Sequence, residues 1–278
     1  GDAMATRIWG TASSWTLTAL PLFVWMGEIL FRTKLSENLF KGLSPWMQKL
    51  PGGLIHVNVV GCALFAAISG SSAATVATVG KMSIPELRKR NYPEKILLGS
   101  LAGSGTLGLL IPPSIILIIY GVAVQESIAK LFIAGIIPGI MIALIFMSYV
   151  IIWSLINKKE MPKILEEYSF LEKIKRSKQL LPVILLISAV IGSIYTGVAT
   201  ATEAASLGVV GALILSYFQK SLTLETFKSS LLGATKTSCM IAFILAGSTF
   251  LSLAMGFTGL PRNLAIWIQG MELSPYVL

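Results

Sequence analysis

Two short polar stretches sit inside an otherwise apolar chain, and both are built from residues that can ligate a hard cation. The first reads AAISGSSAAT at 66–75 and sets Ser69, Ser71 and Ser72 around Gly70. The second reads YTGVATATEAAS at 195–206 and offers Gly197, Thr200, Thr202 and one acid, Glu203. A transported alkali cation must exchange its water for oxygens that hold it weakly enough to let it leave. Backbone carbonyls of an unwound segment, helped by serine or threonine hydroxyls, supply such oxygens without a permanent charge. Gly70 lets the first tip turn, and its small neighbours admit a second element.

Each tip has a candidate partner in a glycine-rich apolar run. LAGSGTLGLLIPPS at 101–114 contains three glycines and two adjacent prolines. Each proline removes a helix donor, so this run is predicted to be a discontinuous helix with free N–H and C=O groups at its break. The first cation site is therefore assigned to Ser69, Gly70, Ser71 and Ser72 with Gly103, Thr106, Gly108 and Pro112. The second is assigned to Gly197, Thr200 and Thr202 with Gly247, Ser248 and Thr249. Helix N-termini at such breaks carry partial positive charge, which suits an anionic substrate. Glu203 has two readings. An intramembrane carboxylate can bind a cation or carry a proton, or it can cap the amides of the second hairpin arm. Glu28 is expected to pair locally with Arg32.

The elements that must position these residues follow from the apolar runs. The chain has 278 residues, 54% of them hydrophobic and only 13% charged, with a mean hydropathy of +0.78. Soluble domains are about a quarter charged. Runs such as Leu131–Ile156 are long enough to cross ~30 Å of hydrocarbon as a helix. They are continuous rather than alternating, which excludes a barrel and leaves an all-α polytopic membrane protein. The net charge of +9 resides in short loops between apolar runs, the positive-inside pattern, and does not indicate nucleic acid. Cys62 and Cys239 read as small buried residues. The single histidine, His56, has no companions for a metal site, and nothing resembles the nucleophile and base of an enzyme.

Along the chain, residues 1–50 hold a first membrane helix (16–31) and an arm helix. Leu35, Leu39, Leu43, Trp46 and Met47 recur at helical spacing among lysines in that arm, which suits a helix lying along the membrane surface. Residues 51–156 form a first repeat: a hairpin at 52–90, the broken helix at 96–124 and a spanning helix at 131–156. Both hairpin arms are too short to cross comfortably, so a re-entrant hairpin is expected, its tip facing protein or water. A polar linker covers 157–179, with Leu165, Tyr168, Leu171 and Ile174 on one side. Residues 180–278 form a second repeat, with a hairpin at 180–218, a broken helix at 237–259 and a C-terminus that reads as truncated. The N-terminus, GDAMATRIWG, does not read as a signal peptide.

The repeat rests on two matches in the same order. Setting Gly70 on Gly197 aligns Ser69 with Thr196 and Thr75 with Thr202, giving [ST]-G-x-x-x-A-T-x-A, and LAGS recurs at 101–104 and 245–248. Internal repeats of this kind are typical of secondary transporters. Basic residues concentrate at 32–49, 81–95 and 157–178, which places those segments on one face; an inverted repeat requires the second hairpin to enter from the other.

The blocks PLFVWMGEIL, LPGGLIHVNVVGCALFAAISGSSAA, GTLGLLIPPSIILIIYG, SIAKLFIAGIIPG and IYTGVATATEAAS resemble the large membrane subunit of tripartite ATP-independent periplasmic (TRAP) transporters over nearly the whole chain. The family pattern often has proline between the threonines of the second tip, where this chain has Ala201. The resemblance implies an elevator-type, sodium-coupled importer in a bacterial inner membrane. It implies no cofactor beyond sodium as coupling ion. It also implies two partners, a small membrane subunit and a soluble periplasmic binding protein that delivers an organic acid such as a C4-dicarboxylate or sugar acid. A proton-coupled carboxylate carrier is the alternative.

Overall fold

The computed structural model describes residues 2–33, 35–162, 168–178 and 180–271. Its described residues are helical or lie in turns, in agreement with the all-α expectation. In order these helices are α1 (Asp2–Ala12), a 3-10 turn (Trp15–Thr18), α2 (Ala19–Phe31), α3 (Leu35–Met47), α4 (Ile55–Ser69) and α5 (Ser72–Lys89). Then follow α6 (Glu94–Gly105), a second 3-10 turn (Thr106–Leu109), α7 (Ile115–Val124), α8 (Ile128–Ile156) and α9 (Phe170–Ser177). The chain continues through α10 (Leu181–Tyr195), α11 (Ala201–Phe218), α12 (Leu224–Thr258) and α13 (Leu260–Gln269). Residues 16–237 form one compact unit and residues 1–15 with 238–278 another.

Polarity is inverted relative to a soluble protein. Ile137, Ile156 and Phe243 are each more than three-quarters exposed, while Asn58, Thr75, Ser83 and Ser104 are fully buried. Such an exterior is stable only against hydrocarbon. Among the described residues, α8, α11 and α12 are long and apolar enough to span a bilayer.

In the larger unit α4 is the central element, with α2, α3, α5, α6 and α8 packed around it. The α4–α5 pair is the expected hairpin. Gly61 lies under Val79 and Ser69 bonds Thr75, so the arms run antiparallel from a turn at Gly70. Polar groups lock the pair onto α6. Asn58 Nδ2 donates to the Leu97 carbonyl at 3.2 Å and to Ser100 Oγ at 3.0 Å, and Ser104 Oγ donates to the Asn58 carbonyl at 3.4 Å. Hydrogen bonds between buried helices in a membrane protein contribute about 0.6–2 kcal/mol each. Asn58→Ala is expected to lower stability by about 1–3 kcal/mol, read as a lower Tm of the detergent-purified protein.

The broken helix at 96–124 matches the structure: α6 passes into a 3-10 turn, residues 110–114 leave the helix, and α7 resumes at Ile115. Its counterpart at 237–259 does not. There α12 continues without interruption to Thr258, because the run contains glycine but no proline and so keeps every amide donor. Thr249 Oγ1 folds back onto the Leu245 carbonyl at 2.8 Å, the local bond by which a threonine is accommodated within a helix.

The arm helix also differs from expectation. Leu39 and Leu43 are buried and line a shared gap with Val57, Phe65 and Val79, so α3 turns its apolar side to the hairpin rather than to lipid. Part of the 157–179 linker is helical, as α9; Leu165 and the rest of 163–167, Gln179 and the C-terminal 272–278 lie outside the described residues. Glu28 pairs with Arg32 at 2.9 Å as expected. Cys62 is buried, but Cys239, within the apolar helix α12, is exposed.

Candidate functional site

The first tip is set by backbone geometry. Gly70 ends α4 with φ +57° and ψ 5°, a left-handed conformation that disfavours side chains. Ser71 turns the chain with φ −120° and ψ 120° and caps α5, its Oγ accepting from Ala74 N–H at 3.4 Å. The result is a helix C-terminus and a helix N-terminus within three residues of each other.

The break in the second helix meets this tip directly. A Cβ on Gly70 would lie 2.9 Å from the Pro113 carbonyl oxygen and 3.1 Å from Ile115 N. The Ile115 N–H donates to the Gly70 carbonyl at 3.4 Å. A Cβ on Gly108 would lie 3.1 Å from Ser72 N. On the far side of the break, a Cβ on Gly135 of α8 would lie 2.6 Å from the Leu110 carbonyl. Glycines on three sides thus let backbone approach backbone, and the break is wedged between the hairpin tip and α8.

The oxygens at this junction are mostly engaged. Ser69 Oγ shares a hydrogen bond with Thr75 Oγ1 at 2.9 Å and donates to the Ser71 carbonyl at 3.3 Å. Ser114 Oγ donates to the Leu109 carbonyl at 2.8 Å across the break. Ser72 is the exception: its Oγ is buried and has no hydrogen-bond partner. Unpartnered buried polar groups are rare and call for an explanation. The amino ends of α5 and α7 and the carboxyl end of α4 converge here, bringing partial charges of both signs to one place.

Of the residues expected in the first site, Ser69, Gly70, Ser71, Ser72, Gly108 and Pro112 lie at this junction or in the buried break. Gly103 and Thr106 do not join them. Gly103 faces Phe146 of α8, and Thr106 is exposed with its hydroxyl donating to the Gly103 carbonyl at 2.7 Å. Their helical register carries them to the side opposite the tip. Three participants were not singled out from sequence. Gly27 of α2 comes so close that a Cβ would lie 2.8 Å from Ser69 Cα; no sequence signal marks it. Thr75 was visible as the threonine of the repeat motif, and Ser114 as the residue after the prolines.

The second tip is built differently. Gly197 is also left-handed, at φ +72°, but a Cβ there would meet nothing within 4 Å. Thr196, Gly197, Val198 and Thr200 are exposed, whereas Thr202 is buried. Thr200 and Glu203 form a capping box: Glu203 Oε2 accepts from Thr200 N–H and from Thr200 Oγ1, each at 2.8 Å, and Glu203 N–H donates to Thr200 Oγ1 at 3.3 Å. Gly247, Ser248 and Thr249 fall in the other compact unit, inside the uninterrupted α12.

The profile of the DctM component of tripartite ATP-independent periplasmic transporters matches residues 1–278. The chain belongs to this family. It is 33% identical over 276 residues to a C4-dicarboxylate TRAP transporter large permease protein of Pseudomonas aeruginosa, covering 99% of this chain and 64% of that relative. It is 33% identical to a sialic acid TRAP transporter large permease protein of Vibrio cholerae, with 99% and 64% covered. It is 31% identical to a 2,3-diketo-L-gulonate TRAP transporter large permease protein of Escherichia coli, again with 99% and 64% covered. The chain therefore spans 64% of the length of each of these relatives. All three carry the names of TRAP permeases rather than enzymes, and the outward apolar faces of α8, α11 and α12 suit a TRAP permease embedded in a membrane.

Proposed function

We propose that this TRAP permease imports an organic acid driven by sodium, with one sodium ion held between the first hairpin tip and the first helix break. The observation that carries the reading is the buried, unpartnered Ser72 hydroxyl, which opens α5 three residues after the carboxyl end of α4. A hard monovalent cation is the ligand that oxygens of this kind suit. The amino ends of α5 and α7 supply the complementary attraction for a carboxylate substrate. The relatives named for a C4-dicarboxylate, sialic acid and diketogulonate support an organic acid as the substrate class. The hairpin, the broken helix and α8 pack through glycines into one block, a body suited to moving as a unit in an elevator-type cycle. In the cell the permease works in the bacterial inner membrane with a small membrane subunit and a periplasmic binding protein that delivers the acid.

The decisive experiment reconstitutes the full-length permease with both partners in vesicles and follows labelled substrate. Uptake is expected with an inward sodium gradient and not without one. Uptake driven by a proton gradient in sodium-free buffer would overturn the assignment.

Glu203 supplies the internal contrast. Its carboxylate closes the cap of α11, and an amide oxygen can accept the same bonds. Glu203→Gln is therefore expected to retain most sodium-driven uptake with an unchanged pH profile, losing about 1 kcal/mol of stability or less. Loss of a pH-driven flux in this variant would instead make Glu203 the proton carrier.

A further inference from the structure

Helix α9 (Phe170–Ser177) presents a surface that its neighbours leave uncovered. One side of it is tied to α3. Trp46 Nε1 donates to Ser177 Oγ at 2.7 Å, the indole meets the Phe170 ring edge-on with centroids 6.3 Å apart, and Lys173 Nζ lies 5.5 Å over the indole. Beyond that contact Leu171 and Ile174 are 78% and 43% exposed, and Phe170 beside the indole keeps 68% of its surface exposed. Their spacing sets them on one arc of the helix.

Charge says what covers this arc. The one acid of α9, Glu172, is committed to the helix's own end, where it accepts from Ser169 N–H at 3.0 Å and completes a capping box. The cations Lys173, Lys175 and Arg176 lie on the helix and Lys178 directly after it, with Arg176 stacked 4.4 Å over the Tyr168 ring. Position agrees with charge. The apolar helix α10 begins at Leu181, and backbone bonds from Leu180 to Ser177 and from Leu181 to Lys178 join α9 to it across a bend of 56°. A short helix with an exposed apolar arc, a cationic flank and an apolar helix at its end belongs at a bilayer interface.

We propose that α9, braced by Trp46, docks on anionic phospholipid headgroups, with Phe170, Leu171 and Ile174 inserted below them and Lys173, Lys175 and Lys178 engaging the phosphates. This goes beyond sodium coupling and does not depend on it. The α3–α9 pair then anchors the polar segment after α8 to the membrane surface. Because α3 is packed on the first hairpin through Leu39 and Leu43, the anchor is mechanically continuous with the element that carries the candidate cation site.

The test places an apolar fluorophore on Leu171→Cys in a background of the full-length permease in which Cys239 and every cysteine outside residues 1–278 are replaced by serine, since Cys62 is buried. The protein is reconstituted in zwitterionic vesicles containing brominated phosphatidylglycerol or, at equal mole fraction, brominated phosphatidylcholine. Phosphatidylglycerol is expected to quench at least about threefold more strongly, since each cation near an anionic surface contributes roughly fivefold in binding. The preference should shrink at high salt as the Debye length contracts. It should also vanish in Lys173→Gln/Lys175→Gln/Lys178→Gln. Equal quenching by both lipids would reduce the face to nonspecific insertion and overturn the proposal. So would quenching by neither, which would mean that protein or water covers the face, or a preference that survives removal of the three lysines.

Discussion

Gly70→Val is expected to abolish transport in membranes that still contain the permease. Two independent penalties coincide at this residue. Its φ of +57° is a conformation that costs an L residue about 1–2 kcal/mol, and more for a β-branched one. Its missing Cβ also leaves room for the Pro113 carbonyl, which a substituent would meet at 2.9 Å. Neither partner can yield cheaply, because that carbonyl belongs to a break already wedged against α8 at Gly135 and Gly139. The strain therefore separates tip from break, and the proposed site opens. Gly70→Asn isolates the second penalty, since asparagine tolerates the left-handed region while still carrying a Cβ. An intermediate loss of uptake is expected there. Uptake assays normalised to membrane-inserted protein distinguish these outcomes; wild-type rates in Gly70→Val would mean that the close approach has no part in transport. The equivalent change at the second tip, Gly197→Asn, meets open space and should leave transport nearly intact.

This contrast between two glycines shows where sequence pattern stops being informative. The tips share a motif and both glycines are left-handed, so local conformation was legible from residue type. Pro112 and Pro113 likewise announced their break, because proline removes a donor whatever surrounds it. What the motif does not encode is environment. Gly70 is buried against another helix while Gly197 is exposed, and that difference rests on long-range packing by Gly27, Gly108 and Gly135, which carry no periodic signal of their own. The same reason explains Gly247–Thr249. Glycine permits a break but does not compel one, and without proline the hydrogen-bond ladder of α12 closes through the run. The amphipathic spacing of α3 identified its apolar side correctly but not its partner. Lipid and protein are equally good solvents for Leu39 and Leu43, so periodicity alone could not choose between them.

The most informative substitution is the smallest. Ser72→Ala deletes a hydroxyl that is buried and unpartnered in the protein as it stands. Removing such a group relieves a desolvation penalty, so the fold should be unchanged or slightly more stable. Tm is therefore expected to hold or rise, which separates this variant from Ser72→Leu, where added bulk on a side chain whose hydroxyl is buried and whose backbone already lies against Gly108 disrupts the junction itself. Function should move the other way. If Ser72 Oγ contributes one oxygen to the sodium shell, its loss raises the sodium concentration for half-maximal uptake by about tenfold, equivalent to about 1.4 kcal/mol of binding. The maximal rate at saturating sodium should change much less, because the site keeps its carbonyl oxygens and its shape. Ser72→Thr retains the hydroxyl and should restore most of the sodium affinity wherever its extra methyl is accommodated. A protein that is equally stable, equally fast and unaltered in its sodium dependence after Ser72→Ala would leave the orphaned hydroxyl without a ligand and remove the observation on which sodium binding at the first hairpin rests.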